Sequence, residues 1–291
     1  MITENLLTSY RIAAKILTKI FLTYAVVFSI AGTLLLIYLY TSVVYPIQQV
    51  EHLKHHNPVQ TSYMKIYSNE LKAQGKSGKL GQIFVPFDSI SKNLKNTVLA
   101  AEDDGFYTHP GFDIEAILKA YDYNRAHHRI IRGGSTITQQ LAKNLFLTNE
   151  RNFTRKFKEL AYTLLLEKYL DKQRILELYL NYAQWGDTIF GCEAASRYYY
   201  HKPSSRLTLN EASRLAASLV NPEKINPLNG NSRFMQRRLE VIANNLYQKR
   251  LVNDSNYTAT YGTHPPKDTT DEDSSAVEEE PAESADTGIE K

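Results

Sequence analysis

The sequence predicts a mainly α-helical protein in which one membrane-spanning helix precedes a helical domain. Residues 21–45 contain no charged side chain and are rich in Leu, Ile, Val, Phe and Tyr. From residue 89 onward, apolar residues recur every three or four positions, which is the spacing of an amphipathic helix. Strand-like sequence is confined to a short stretch near residues 83–85. These observations favour a mainly helical core behind a membrane anchor.

The apolar stretch is long enough to cross a bilayer, because its 25 residues exceed the ~20 that a spanning helix needs. A buried core helix of this length would have to be apolar on every face, and a cleaved signal peptide has a shorter apolar region of about 7–15 residues. We therefore expect a transmembrane anchor. Arg11, Lys15 and Lys19 precede it, so the positive-inside rule places residues 1–20 in the cytoplasm and the remainder outside it.

The charge of the chain is divided between a basic body and an acidic tail. Residues 252–291 contain eleven Asp and Glu against two Lys, a net of −9. The rest of the chain contains 32 Lys and Arg against 20 Asp and Glu, a net of +12. A basic body suits a phosphorylated substrate, an anionic membrane surface or nucleic acid. Cys192 is the only cysteine, which excludes an internal disulfide and a zinc site built from cysteines.

The helices of the domain follow from apolar spacing and from start and stop signals. Thr208 and Glu211 form a capping box that starts one helix, and Pro222 ends it. Predicted helices cover residues 94–102, 114–121, 155–170, 172–180, 212–220 and 234–250. The inward positions expected on the third and fourth of these are Leu160, Leu164, Tyr169, Ile175 and Leu178.

Five parts of the chain differ in composition. The stretch after the anchor has little periodicity and several Lys, Ser and Gly, and the last forty residues are polar, acidic and rich in Pro, Ser and Thr, which favours disorder. The parts are a cytoplasmic N-terminus (1–20), the anchor (21–45), a connector (46–81), a helical domain (82–250) and an acidic, disordered tail (251–291).

One polar, glycine-led run, residues 132–145, carries hydroxyls, amides and an ammonium group on a predicted loop that enters a helix. Backbone amides and cations at a helix N-terminus favour an anion. The run therefore has the groups needed to hold a phosphate-linked sugar.

Two separate acidic positions flank this run. Glu102 and Asp103 are adjacent at a predicted helix end, and Glu159 shares a helix face with Arg155 and Lys156. Taken singly, each is typical of an ordinary solvated turn or surface ion pair. Together, the acids and the basic side chains beside them supply what sugar transfer from a phosphate-linked donor requires. These requirements are a base for the attacking hydroxyl and cations for the phosphate that leaves.

Five sequence blocks, taken together, resemble the peptidoglycan glycosyltransferases, in their monofunctional form. The blocks are Glu-Asp-x-x-Phe-x-x-His-x-Gly at 102–111, Gly-Gly-Ser-Thr-Ile-Thr-Gln-Gln-Leu-x-Lys-Asn at 133–144, Arg-Lys-x-x-Glu at 155–159 continuing to 181, Gly-Cys-Glu-Ala-Ala at 191–195 continuing to 202, and Leu-Thr-Leu-Asn-Glu-Ala at 207–212 continuing to 222. The resemblance covers roughly residues 65–245. It implies a lysozyme-like helical fold with a small membrane-associated jaw at about residues 121–153.

The resemblance also implies an activity and its residues. Glu102 matches the base that deprotonates the 4-hydroxyl of the acceptor N-acetylglucosamine, and Asp103 helps to shape that site. Glu159 matches a second essential acid near the donor diphosphate, where it either orients basic side chains or holds a divalent cation, Mg or Mn. The other matched substrate-binding residues are Ser135, Gln140, Lys143, Asn144, Arg151, Arg155, Lys156 and Lys158.

The reaction that the resemblance implies is polymerisation of lipid II at a bacterial inner membrane, with inversion at the donor carbon, a β-1,4 linkage and undecaprenyl pyrophosphate as the leaving group. Expected partners are lipid II, the growing glycan and the membrane, with cell-wall synthesis or division proteins as further candidates and no nucleic acid. His109 is expected to hold its loop by hydrogen bonds, and Cys192 to be a packed small side chain.

Three alternatives follow from the same sequence. A bifunctional synthase would need a transpeptidase, but its Ser-x-x-Lys-like run at 89–92 lies upstream of the blocks and too few residues remain for a second domain. A lysozyme-like hydrolase also uses a glutamate. A non-enzymatic scaffold would have lost its acids, whereas Glu102, Glu159 and Lys143 are intact.

Overall fold

A computed structural model describes residues 2–126, 133–148, 153–229 and 232–266 of the 291-residue chain. These residues are mostly helical, which confirms the predicted fold class. The helices are α1 (Ile2–Leu39), α2 (Tyr45–His52), α3 (Ser62–Ala73), α4 (Lys92–Glu102), α5 (Ile114–Ala126), α6 (Ile137–Phe146), α7 (Phe153–Tyr169), α8 (Lys172–Tyr182), α9 (Cys192–Tyr200), α10 (Leu209–Ser218), α11 (Arg233–Gln248) and α12 (Asp254–Tyr261).

The N-terminal apolar helix is long enough and apolar enough to cross a membrane. Over residues 15–52 it is continuous, and the apolar window within it is not buried by the rest of the protein. A π-helical turn at Tyr40–Val44 joins α1 to α2. Pro46 explains this irregularity, because its ring nitrogen cannot donate the hydrogen bond that an α-helix requires there.

The helix that carries the anchor is attached directly to the globular domain. Val50 and Leu53 are buried in the core just after the apolar stretch. The Tyr162 hydroxyl on α7 donates to Oε1 of Gln49 at 2.8 Å. Arg174 Nε on α8 donates to the carbonyl oxygen of Leu53 at 2.9 Å. The anchor therefore continues into the domain without an intervening flexible link.

A third helix lies where an irregular connector was expected. In α3, the side chains of Met64, Tyr67 and Leu71 are buried at positions i, i+3 and i+7, and Thr61 caps the helix by accepting from the Met64 amide at 3.1 Å. The apolar stripe is only three residues long and stands among polar residues, which is why periodicity alone did not reveal it. The short strand lies at Gly81–Gln82, two residues before the predicted stretch, and pairs in parallel with Ile189–Phe190.

The core is built around α8, in which residues 175, 176 and 178–182 are all buried. Ile175 and Leu178 are fully buried, as predicted. Helices α4 and α10 pack against each other nearby, and α10 begins with the predicted capping box of Thr208 and Glu211. Cys192 is buried in this core, and burial raises the pKa of its thiol to about 12.

The prediction for the inward face of α7 was wrong at two positions. Leu160 and Leu164 are 40% and 52% exposed, whereas Glu159, Thr163 and Leu166 are buried. Apolar spacing identifies a stripe but not its partner, and here the neighbouring stripe packs against α6. Leu160 and Leu164 therefore remain on the outside of the domain, on the same face as the exposed Phe157.

A second exposed apolar stripe lies on α5. Ile114, Ile117, Leu118 and Tyr121 recur at helical spacing, and all four are exposed. This helix leads into the region expected to form the jaw. Residues 127–132 and 149–152 of that region lie outside the described residues, so the jaw stays a prediction there.

The C-terminal region contains a helix that the sequence analysis assigned to a disordered tail. Asn253 caps α12 through the Asn256 amide, and Tyr257 is buried with its hydroxyl donating to Oδ1 of Asn244 at 2.7 Å. The Asn210 side chain donates to the carbonyl oxygen of Thr260 at 3.0 Å. The helix is short, and its burial depends on these tertiary contacts. The disorder predicted for residues 267–291 concerns a segment outside the described residues.

We expect Tyr257→Ala to lower the free energy of unfolding by about 3 kcal/mol, because it removes a buried aromatic ring and the hydroxyl that contacts α11. Tyr198→Ala is the matched control, since Tyr198 is 65% exposed. It should change stability by less than about 0.5 kcal/mol. Urea unfolding of the detergent-solubilised chain measures both. Equal midpoints for the two variants would show that α12 does not pack as described.

Candidate active site

Glu102 is the last residue of α4, and this helix fixes where its side chain begins. Ser91 caps the start of α4 by accepting from the Leu94 amide at 3.1 Å. Leu94 and Val98 are fully buried on its inner face. At its C-terminal end, the carbonyl oxygen of Ala100 accepts from the Asn245 side chain of α11 at 2.8 Å. Both ends of α4 are thus anchored.

The carboxylate of Glu102 is held at both oxygens. Gln140 Nε2 on α6 donates to Oε2 at 3.1 Å, and Arg238 Nη2 on α11 donates to Oε1 at 3.2 Å. The Tyr179 hydroxyl on α8 in turn donates to Oε1 of Gln140 at 3.0 Å. The Glu102 side chain is only 12% exposed. Three helices therefore converge on one carboxylate.

Burial raises the pKa of Glu102 above its usual range, and the negative charge of Asp103 adds to the effect. The Gln140 hydrogen bond and the Arg238 charge oppose the shift. A carboxylate that is poorly solvated but still held by two donors can take a proton more readily than a free glutamate. This is the property required of a general base near neutral pH.

Asp103 is buried next to Glu102, and both of its carboxylate oxygens are hydrogen-bonded. Its Oδ1 lies 2.8 Å from Nε2 of His109, and its Oδ2 accepts from the Ile137 amide at the start of α6, also at 2.8 Å. Burial raises the pKa of Asp103, while the His109 and Ile137 hydrogen bonds oppose the shift. Asp103 therefore joins the end of α4 to the start of α6.

His109 holds its loop by hydrogen bonds, as predicted. Its Nδ1 accepts from the Gly111 amide at 3.1 Å, so Nε2 carries the proton that is donated to Asp103. Gly111 has φ +92°, and a Cβ there would come within 2.8 Å of the Glu167 side chain. Glycine is therefore required at this turn.

The glycine-led run enters a helix, as the sequence indicated. Thr136 and Gln139 form a capping box at the start of α6. The Thr136 hydroxyl also donates to the carbonyl oxygen of Gly111 at 2.7 Å, so this helix start is tied to the His109 loop. The N-terminus of α6 thereby faces the same region as Glu102.

A polar pocket of about 180 Å³ lies between α6 and α7. It brings together six of the residues predicted for the site, and Gln140 connects it directly to Glu102. Its lining residues are Ser135, Gln139, Gln140, Lys143, Arg155, Lys156 and Glu159.

The pocket has more positive than negative charge. Glu159 is buried and contacts Lys156, and its Oε2 lies 3.6 Å from Nη1 of Arg155. Lys143 is exposed as a residue, but desolvation lowers the pKa of its ammonium group, Arg155 and Lys156 lower it further, and Glu159 opposes them. Three cations against one carboxylate leave an excess that suits an anionic ligand.

The described residues around Glu159 do not by themselves form a site for a divalent cation, and the expected Mg or Mn stays a prediction. Within the described ranges no group of three or more His, Cys, Asp or Glu is arranged to hold a metal ion. Both carboxylate oxygens of Glu159 already contact basic side chains. Hard divalent cations are held by several oxygen ligands, and this pocket is lined by a single carboxylate.

Two of the residues predicted for substrate binding on α6 and α7 do not line the pocket, and a third is not described. Lys158 is exposed, and Asn144 is half-buried on α6, one turn beyond Gln140. Arg151 lies outside the described residues. Their assignments to substrate binding stay predictions.

Known proteins resemble this chain over more than half of its length. The transglycosylase family model matches residues 69–246. The chain belongs to the transglycosylase family. A biosynthetic peptidoglycan transglycosylase from Burkholderia orbicola (strain MC0-3) is 45% identical over 187 residues, which are 64% of this chain and 76% of that protein. One from Thiobacillus denitrificans is 46% identical over 187 residues, which are 64% and 80%. One from Cupriavidus metallidurans is 53% identical over 140 residues, which are 48% and 60%.

The resemblance drawn from the five blocks is confirmed by this membership, and the chain is a glycosyltransferase. The matched span contains every residue predicted for the site. It ends within α11, so α12 lies beyond the transglycosylase domain as the family model defines it.

Sequence reasoning missed three residues that the site uses. Gln139 lines the pocket and Tyr179 holds Gln140, and both lie inside recognised blocks. Arg238 contacts Glu102 from α11, outside the five blocks. One signal for it is available in the sequence, since Arg238 interrupts the apolar face that Met235 and Ile242 form on α11.

We expect Asp103→Asn to lower the free energy of unfolding by about 1–3 kcal/mol. An amide at this position would direct an N–H group at a neighbour that is itself a donor, either Nε2 of His109 or the Ile137 amide, and would leave it unsatisfied. Asp104→Asn is the control, because Asp104 is 52% exposed and makes a surface ion pair with Lys249. Thermal unfolding compares them. A destabilisation no greater than that of the control would contradict the joining role of Asp103.

Proposed function

We propose that the chain polymerises the glycan strands of peptidoglycan. It would transfer the glycan of lipid II, or of a growing chain, from undecaprenyl pyrophosphate to the 4-hydroxyl of an acceptor N-acetylglucosamine. The observation that carries the proposal is the desolvated carboxylate of Glu102, connected through Gln140 to a cationic pocket. The names of the relatives support the substrate class.

The proposed reaction is a single displacement. Glu102 takes the proton of the acceptor hydroxyl as its oxygen attacks the donor anomeric carbon. The bond from that carbon to the pyrophosphate oxygen breaks, and the pyrophosphate departs with the electron pair. Because attack and departure occur on opposite faces, the configuration inverts and a β-1,4 linkage forms. The base contributes about 10²–10⁴ in rate.

The cationic pocket would stabilise the charge that develops on the leaving pyrophosphate. Lys143, Arg155 and Lys156 are placed to contact it, and Glu159 holds two of these side chains in position. Preorganised cations in a partly desolvated site act strongly on developing charge. Ser135, Asn144, Arg151 and Lys158 are proposed as further donor-site groups, and Asp103 as a support for the acceptor site.

The membrane anchor is consistent with a lipid-linked donor. We propose that the helix over residues 15–52 crosses the bacterial inner membrane with its N-terminus in the cytoplasm and the enzyme domain outside it. The exposed apolar stripes of α5 and α7 would then contact lipid near the pocket. Cell-wall synthesis or division proteins are candidate partners, and an exported domain would not meet nucleic acid.

Glu102→Gln should fold and yet lose polymerisation by at least about 100-fold, because the amide cannot accept the hydroxyl proton. The assay is the conversion of labelled lipid II by the detergent-solubilised chain, with products separated on a gel. Glu115→Gln is the control, since this glutamate lies on α5 at 78% side-chain exposure. Full activity of Glu102→Gln would remove its role as base, and shortening of preformed glycan would indicate a hydrolase instead.

The polymerisation rate should fall on acidification at a higher pH than a freely solvated glutamate would produce. The pKa of Glu102 is raised by burial, and the base works only when deprotonated, so activity is present above this pKa and is lost as the pH falls through it. This acidic limb, the pH range over which the rate falls, is measured from a profile of kcat/KM against pH, with unfolding monitored at each pH. A limb in the usual range of a solvated glutamate would contradict the desolvated environment.

A further inference from the structure

Arg238 occupies an unusual place on α11. Met235 and Ile242 are fully buried on the side of this helix that packs against α4, and Arg238 lies between them. Its side chain is 23% exposed. A long charged side chain that is placed among core positions requires a partner, because desolvation of an unpaired charge is costly.

The guanidinium group has two partners at the end of α4. Its Nη2 lies 3.2 Å from Oε1 of Glu102 and 3.3 Å from the carbonyl oxygen of Ala101. That carbonyl is among the last four of α4, and the last four carbonyls of a helix have no hydrogen-bond donor within the helix. The position of the guanidinium is therefore set by the backbone of the helix whose last residue is Glu102.

Asn245 also caps the end of α4, but its side chain carries no charge. It lies seven residues after Arg238 on α11 and donates to the carbonyl oxygen of Ala100 at 2.8 Å. It has no hydrogen bond to Glu102. The two side chains thus separate the capping of α4 from the contact with the carboxylate, and they allow the two effects to be tested independently.

The electrostatic surroundings of Glu102 contain few charged groups. Arg238 faces it from α11, Asp103 adjoins it on the chain, and Tyr179 lies behind Gln140 on α8. Gln140 on α6 is a neutral donor. Among these groups Arg238 is the one that carries a positive charge. It therefore opposes the rise in the pKa of Glu102 that burial and the negative charge of Asp103 cause.

We propose that Arg238 is a positioning residue for the glycosyl transfer. It holds Oε1 of Glu102 against the end of α4 and keeps the carboxylate ionised, so that the base is ready to accept the proton of the acceptor hydroxyl. This inference rests on the proposed role of Glu102. Arg238 itself takes no proton in this scheme and acts through the glutamate.

The test compares Arg238→Gln and Arg238→Lys with two controls on the same helix. Asn245→Ala removes a cap of α4 but leaves the ion pair in place. Arg233→Gln removes one exposed positive charge at the start of α11. For each purified full-length variant, kcat and KM for lipid II are measured across the pH range, together with the melting temperature.

Loss of the charge should raise the pKa of Glu102, so the acidic limb of the rate profile should move to higher pH in Arg238→Gln. At pH values on the acidic limb we expect kcat to fall about tenfold for each unit by which the limb is displaced. KM should stay close to its original value. Arg238→Lys should restore part of both effects. Asn245→Ala should lower the melting temperature without moving the limb, and Arg233→Gln should change neither.

A limb and a kcat in Arg238→Gln that match those of Arg233→Gln would overturn the proposal. So would a lower melting temperature with an unmoved limb, since that is the result of capping alone. If Arg238→Gln does not fold, the Arg238→Lys profile decides, because a lysine at this position changes the geometry and keeps the charge. An active Glu102→Gln would instead refute the role of Glu102 as base, and absence of polymerisation by the unaltered chain would refute the proposed function. An inactive Glu102→Gln with an unmoved Arg238→Gln limb would refute this inference alone.

Discussion

The geometry of the site depends on the two hydrogen bonds of the buried Asp103 carboxylate. One reaches His109 and thereby fixes the loop that follows α4, and the other reaches the Ile137 amide at the start of α6. Because Asp103 adjoins Glu102, this contact brings Gln140, one turn into α6, within reach of the Glu102 carboxylate. The separation between Glu102 and the cationic pocket is thus set by one buried side chain and the helix pitch.

The two glutamates of the site have opposite electrostatic surroundings. Glu102 is buried among one arginine, a neutral amide and a second acid, and burial dominates its behaviour. Glu159 is more deeply buried, with a side chain that is 6% exposed against 12% for Glu102, and it contacts two cations of its own helix. The first arrangement favours the uptake of a proton, and the second holds the neighbouring cations in place. The same residue type therefore suits two tasks.

The attachment of the anchor bears on how the domain meets its substrate. The apolar helix continues through a π-helical turn into α2, and α2 packs against α7, the helix that carries Arg155, Lys156 and Glu159. The apolar helix and the pocket are thereby both attached to α7. The exposed apolar residues of α5 and α7 extend the lipid-compatible surface beyond the anchor itself.

Sequence by itself determined the helical fold class, the long apolar helix and the capped start of α10, because these follow from local spacing and short-range hydrogen bonds. The block residues that meet in the pocket were identified through the family resemblance. Only the tertiary structure decided which stripe of α7 faces inward, that α3 and α12 are packed helices, and that Arg238 reaches Glu102. Each of these depends on contacts between residues far apart in the chain. Local periodicity carries no information about which distant surface will cover a given stripe.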